Sequence, residues 1–239
     1  MAQHISRKEL KQDKIRESLE HGAEAVASHS RLISGLLVAA AIAVAIGGGW
    51  RIYSERRNVK AAAAFDEGMK VYNARIRALN EPAVPGELTY LDENNKLQEA
   101  AAKFSEGAEK YSGTDPGKMA RYYAALCLED LGKTNQALEN LKKLQGTSDR
   151  ELAALAKYQT AVIYARTGKT DEAVKIYREL AEKPTLFVPR SLVLLDLAGQ
   201  LRKTNPTEAA NIYQQIKKEF PDSAISEEAD RGLESLPKT

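Results

Sequence analysis

The side chains suited to nucleophilic or general-base chemistry are few in this chain of 239 residues: three histidines, His4, His21 and His29, and one cysteine, Cys127. The histidines all precede an apolar run at Leu32–Trp50, and Cys127 follows it. If that run spans a bilayer, a Cys–His pair cannot form within one chain. A single cysteine also excludes an intrachain disulfide and a multi-cysteine metal site. The tetrapeptide Thr167-Gly168-Lys169-Thr170 matches the tail of a phosphate-binding loop, but that loop needs glycine at 163, where Ile163 stands. A glycine turn between two helices explains the tetrapeptide instead. The carboxylates sit among lysines, the pattern of solvated helix faces. No catalytic constellation emerges and no cofactor or metal is called for. The expectation is a binding protein that is not an enzyme.

The elements that would position a binding face begin with the apolar run. Its 19 residues carry no formal charge. About 20 apolar residues at about 1.5 Å each cross a bilayer core of about 30 Å. A cleaved leader would have a shorter start and a shorter apolar region. Ala43-Val44-Ala45 resembles a cleavage site, yet Gly47-Gly48-Gly49-Trp50 follows and about thirty residues come before. A retained anchor is the reading favoured over a leader or a buried core helix. Gly35, Ala39, Ala43 and Gly47 fall on one face of it, a small-residue surface on which another membrane helix could pack, including that of a second copy in a homodimer. Arg31, Trp50, Arg51 and Tyr53 stand at its ends, where amphipathic rings and cations meet lipid headgroups. Lys14, Arg16 and Arg31 on one side are balanced by Arg51, Arg56, Arg57 and Lys60 on the other, so charge alone does not fix the topology.

Net charge is +2 for the whole chain. From Asn58 onward 26 Lys and Arg face 27 Asp and Glu, which argues against a nucleic-acid partner. Residues 1–30 form a polar segment, with a helical pattern over 5–29 that suits a solvated helix or a helix for a partner or membrane surface. Residues 31–54 form the anchor and 55–239 the folded bulk. A helix is expected over Asn58–Leu79, with an apolar stripe of Val59, Ala63, Met69, Tyr72, Ile76 and Leu79. The prolines and glycine of residues 80–90 make a loop.

Beyond the loop the chain repeats itself. Gly132, Lys133 and Thr134 recur as Gly168, Lys169 and Thr170. Ala137 recurs as Ala173 and again as Ala209, Leu141 as Tyr177 and Tyr213, and Leu144 as Leu180, at an offset of 36. A weaker first copy, 96–111, pairs with the helix at 58–79. Repeats of this length are stacked units, none of which buries its apolar face alone. Each reads as a helical hairpin: glycine ends one helix in a left-handed conformation, Thr134 and Thr170 are expected as N-caps, and the alanine allows close crossing. Ala161 and Tyr164 in the first helix, Ala173 and Tyr177 in the second, and Pro221 after the last carry a resemblance to tetratricopeptide repeats. The resemblance implies an all-α fold: one transmembrane helix followed by a helical-hairpin solenoid.

The order of parts, with a polar start, one anchor with a Gly-Trp-Arg-x-Tyr boundary, a long helix and about three repeats, resembles the YfgM-like tetratricopeptide proteins of bacterial inner membranes. That resemblance implies a single-pass protein with its repeats in the periplasm, ancillary to the SecY-type translocon and working with a membrane-bound prolyl-isomerase chaperone. In such a stack the first helices line the inner surface. By register the groove takes Tyr122, Leu126 and Glu129, then Tyr158, Gln159, Val162 and Arg166, then Leu194, Ala198 and Arg202. Tyrosines and arginines on such a wall suit an extended or helical peptide, although Tyr122 and Tyr158 could instead pack between neighbouring helices. The expected function is a membrane-anchored scaffold or chaperone-like adaptor near an export channel. An assembly factor for a pilus, secretion or division complex and a cytoplasm-facing regulatory adaptor are the alternatives.

Overall fold

The computed structural model describes residues 30–237. The polar helix expected over residues 5–29 lies outside them. The chain divides into two compact units, Met1–Arg56 and Arg57–Thr239. Helix α1 (Ser30–Tyr72) supplies the described part of the first unit and, from Arg57, the opening helix of the second.

In the first unit α1 is apolar and uncovered. Leu36, Val38, Ile42, Val44 and Ile46 are all exposed, and nothing lies within 4 Å of where a Cβ would stand on Gly35 or Gly47. By length and composition this helix can cross a membrane. A core helix of a water-soluble protein would bury such side chains.

The second unit continues with a short parallel pair, β1 (Arg75–Ile76) and β2 (Thr89–Tyr90). The remaining helices are α2 (Glu93–Lys110), α3 (Asp115–Asp130), α4 (Thr134–Gln145), α5 (Arg150–Arg166), α6 (Thr170–Glu182), α7 (Arg190–Leu201), α8 (Pro206–Glu219) and α9 (Ala224–Glu234). From α2 onward each helix packs on the one before and the one after, and α9 also touches α7. This nearest-neighbour pattern is that of a stacked array, and the fold is all-α apart from the β1–β2 pair.

The repeat is written in the core. Ala137, Ala173 and Ala209 are fully buried on the second helices, and Ala125, Ala161 and Leu197 are buried at a matching position of the first. Leu141, Tyr177 and Tyr213 fill the space one turn further on, followed by Leu144, Leu180 and Ile216. Ala156 and Ile163 of α5 belong to one apolar cluster and Ala161 to the next, so α5 joins two adjacent layers.

The turns depart from expectation in one respect. Gly132 and Gly168 do adopt positive φ, 72° and 79°. The Lys133 amide donates to the Leu128 carbonyl and the Gly132 amide to Glu129, a paired closure that α5 repeats with Lys169 to Tyr164 and Gly168 to Ala165. Thr134 and Thr170, however, are not N-caps. Lys133 and Lys169 hold that position, without a side-chain hydrogen bond. The tight turn places the lysine, not the threonine, at the helix entrance. The third unit lacks the glycine and uses Asn205 as a true cap, accepting from the Glu208 amide, with Pro206 next.

The helix expected to reach Leu79 stops at Tyr72. Ile76 lies in β1, and Leu79, Val59 and Ala63 are exposed. The buried side of α1 is instead Ala61, Gly68 and Val71, with Phe65, Met69 and Tyr72 packed beside them against Leu97, Ala100 and Phe104 of α2. Beyond the helix Arg75 holds the loop with a forked pair to Glu81, 2.8 and 2.9 Å, and a bond to Glu87.

Candidate protein-binding face

The first helices α3, α5 and α7 are each fixed from behind by the alanine and aromatic core of their hairpins, and side chains tie their exposed sides together. α3 begins at Thr114, whose hydroxyl accepts from the Gly117 amide, and α5 at Asp149, whose carboxylate accepts from Leu152. These caps set the helix registers and hence which residues look outward.

Between α3 and α5 the hub is Glu129. It accepts from Gln159 Nε2 at 2.7 Å and from Arg166 Nη1 at 2.7 Å. The Glu129 side chain is only 10% exposed, whereas that of Arg166 is 65% exposed. Between α5 and α7 the Tyr158 hydroxyl donates to Asp196 Oδ2 at 2.6 Å. The Tyr158 ring stands edge-on to Tyr177, with centroids 6.0 Å apart. Burial and then the Asp196 carboxylate raise the Tyr158 phenol far above its ordinary value. Burial also pushes Tyr122 up to about 12, with Tyr123 and Glu129 adding to it. Tyr122 stands edge-on to Tyr123, 6.0 Å away.

Of the ten residues placed on the groove by register, Tyr122, Leu126, Glu129, Tyr158, Gln159 and Val162 are part-exposed and Arg166 is exposed. Bonds gather Glu129, Gln159 and Arg166 into one network. Leu194 and Ala198 do not line an open wall: they are 4% and 0% exposed and belong to the core cluster with Leu197 and Ala209. Their side chains turn into a core that also takes Ala229 from α9. Arg202 is exposed but turned toward that end, donating from Nη1 to Ser235 Oγ at 3.1 Å.

Register missed Asp196. Its carboxyl is half-buried on α7, and burial raises its pKa although the Tyr158 bond opposes this. The signal was present: one carboxylate interrupts the apolar string Leu194-Leu195-Asp196-Leu197-Ala198. Cys127 is fully buried, its thiol pushed up to about 12 by burial and then by Asp130. Such a thiol is a poor nucleophile. Among the described residues no three His, Cys, Asp or Glu side chains are grouped to hold a metal ion.

A family model described as a tetratricopeptide repeat-like domain matches residues 27–186, and a second, a tetratricopeptide repeat, matches residues 192–223. The chain belongs to the tetratricopeptide repeat-like domain family. Its hairpins α3–α4, α5–α6 and α7–α8 are the repeats, and α9 is the lone closing helix. Tetratricopeptide repeats generally bind other proteins and are generally non-enzymatic, so the repeats suggest an interaction scaffold. No curated protein and no solved structure matches the chain.

Proposed function

We propose that the chain is a membrane-anchored scaffold that holds other proteins against the face made by α3, α5 and α7. The observation that carries this reading is the uncovered apolar stretch of α1. Leu36, Val44 and Ile46 are 71%, 75% and 68% exposed, in a helix whose apolar window is wholly unburied. Lipid is the solvent such a surface requires. Trp50 and Tyr53, with ring centroids 6.3 Å apart, and Arg51 then meet the headgroups. The family match begins at residue 27, ahead of the apolar stretch, which supports a retained anchor over a leader that is removed. An anchored domain meets membrane partners at raised effective concentration.

The resemblance to YfgM-like proteins supports the finer reading: a single-pass protein of a bacterial inner membrane, with periplasmic repeats that serve an export channel or its chaperones. Small residues Gly35, Ala39, Ala43 and Gly47 would let a partner span pack closely.

Two measurements test the reading. Alkaline extraction of membranes, followed by mass measurement of the retained species, should find the intact chain in the pellet; a soluble or shortened species removes the anchor. A cysteine added after Thr239 and probed with an impermeant maleimide gives the side. Buried Cys127 should stay silent in this assay. Labelling only after the inner membrane is opened would move the repeats to the cytoplasm and favour a regulatory adaptor.

A further inference from the structure

The sequence draws attention to Arg166 and Arg202 as the groove's charges, but the fold satisfies both within the chain. Arg166 is held by Glu129, and Arg202 bonds to Ser235 and to the Gly199 carbonyl. The carboxylates at the inter-helix contacts follow the same rule. Glu179 pairs with Lys157, Glu208 with Arg178, and Glu219 with Arg190.

Asp196 departs from it. Its bond is to a neutral phenol, Tyr158, through Oδ2, and no ion pair forms to it among the described residues. It remains part-exposed, on the side of α7 that faces α5. A carboxylate drawn out of water without a cation is unfavourable unless something supplies one. Its surroundings suit a cation with an apolar stem. The ring of Tyr158 is beside it, Tyr177 stands edge-on to that ring, and Val162 is one turn along α5. Tyrosine faces attract ammonium and guanidinium groups, and aliphatic stems of Lys and Arg pack on such surfaces.

We infer that Asp196, with Tyr158, forms a subsite for a Lys or Arg side chain presented by the bound protein segment. This rests on the reading of the α3–α5–α7 face as a protein-binding surface and names the chemistry it selects. The expected client segment carries a single basic residue among apolar neighbours, not an acidic run.

The test uses the full chain in detergent micelles and a set of fluorescent twelve-residue peptides. They share one Leu/Ala/Ser sequence and differ at a central position: Lys, Arg, norleucine or Glu. Fluorescence anisotropy should show Lys and Arg peptides binding about tenfold more tightly than norleucine, the scale of one charge-assisted bond. Asp196→Asn, nearly isosteric and still able to accept from Tyr158, should abolish that ratio while leaving the norleucine peptide unchanged. Asp196→Glu should restore part of it. Equal binding of Lys and norleucine, preference for Glu, no binding of any peptide, or an undiminished ratio in Asp196→Asn would overturn the subsite. The scaffold reading fails separately, by loss of membrane retention or of partner crosslinking in cells.

Discussion

A Cβ built on Gly68 of α1 would stand 2.4 Å from Cδ1 of Phe104 on α2 and 2.5 Å from its Cε1. The ring cannot step aside. Phe65, Tyr72 and Tyr123 surround it with centroids 5.7, 6.3 and 5.4 Å away, and Phe104 is fully buried. The first hairpin closes on this contact, and a Cβ on Gly232 of α9 would likewise stand 2.4 Å from Cζ of Tyr213.

Gly68→Ala therefore sets two effects against each other. Alanine favours a helix interior by about 1 kcal/mol over glycine, whereas overpacking a dense core costs about 1–3 kcal/mol. Overlap at this distance should win. Urea unfolding of the full chain in mild detergent, followed by circular dichroism, should show a net loss. Adding Phe104→Leu should recover part of it, since the two changes share one space. Unchanged or raised stability in Gly68→Ala would show that the ring yields.

The turn glycines give a cleaner case. Nothing lies within 4 Å of a Cβ at Gly132 or Gly168, so only the backbone objects. With φ of 72° and 79°, alanine at either should cost about 1 kcal/mol, and asparagine less. Equal stability of the alanine and asparagine variants in the same unfolding assay would contradict this.

Asp196 ties stability to pH. Burial raises its folded pKa above the ordinary carboxylate value of 3.8, against the smaller opposing effect of Tyr158. A raised carboxylate stabilises the fold fully below the unfolded pKa and loses that contribution as pH rises through the folded pKa. The groups to consider around it are Tyr158 on α5, Tyr177 on α6 and, beside Tyr177, Arg166. Asp196→Asn should raise the Tm near pH 7, and the gain should shrink as pH falls toward about 4 and be small below it. Paired thermal melts from pH 3 to 7 measure it. A gain independent of pH would mean that the carboxyl has the same pKa in the folded and unfolded chain.

Glu129 and Arg166 should contribute unequally. Arg166→Gln leaves the nearly buried Glu129 carboxylate without its cation and should cost about 1–3 kcal/mol. Glu129→Ala frees an Arg166 that is mostly in water and should cost less, with Gln159 losing its acceptor. A double-mutant cycle by urea unfolding resolves the two. Arg166→Gln also tests the face in cells. Partner crosslinking should weaken while helicity stays. Reversing the charge at Arg166 would set a second carboxylate against Glu129, so neutral variants are preferable.

How much of this was legible depends on whether the signal is local. The offset of 36 between Ala137, Ala173 and Ala209 was visible because every copy meets the same packing demand. The left-handed turns were visible because glycine takes φ near 72° without steric cost. The end of α1 was not: Ile76 and Leu79 continue a helical stripe, yet Arg75 is captured by Glu81 and Glu87 and its backbone pairs with Thr89. That competition between helix and loop is tertiary. Leu194 and Ala198 were assigned to the groove by register alone, and α9, two helices further on, packs on the helix that carries them and shares their core.

The order of residues along the chain is enough to specify an apolar helix free of charge, a helical hairpin repeated every 36 residues, and where its tight turns fall, since each follows from the chemistry of near neighbours. Which polar side chains are matched is settled only once the repeats are packed. Arg166 meets Glu129 across 37 positions, and Asp196 meets a tyrosine across 38 and, among the described residues, no cation. Such pairings depend on how neighbouring repeats are rotated and set against one another, a geometry that summed packing fixes and no spacing along the chain encodes.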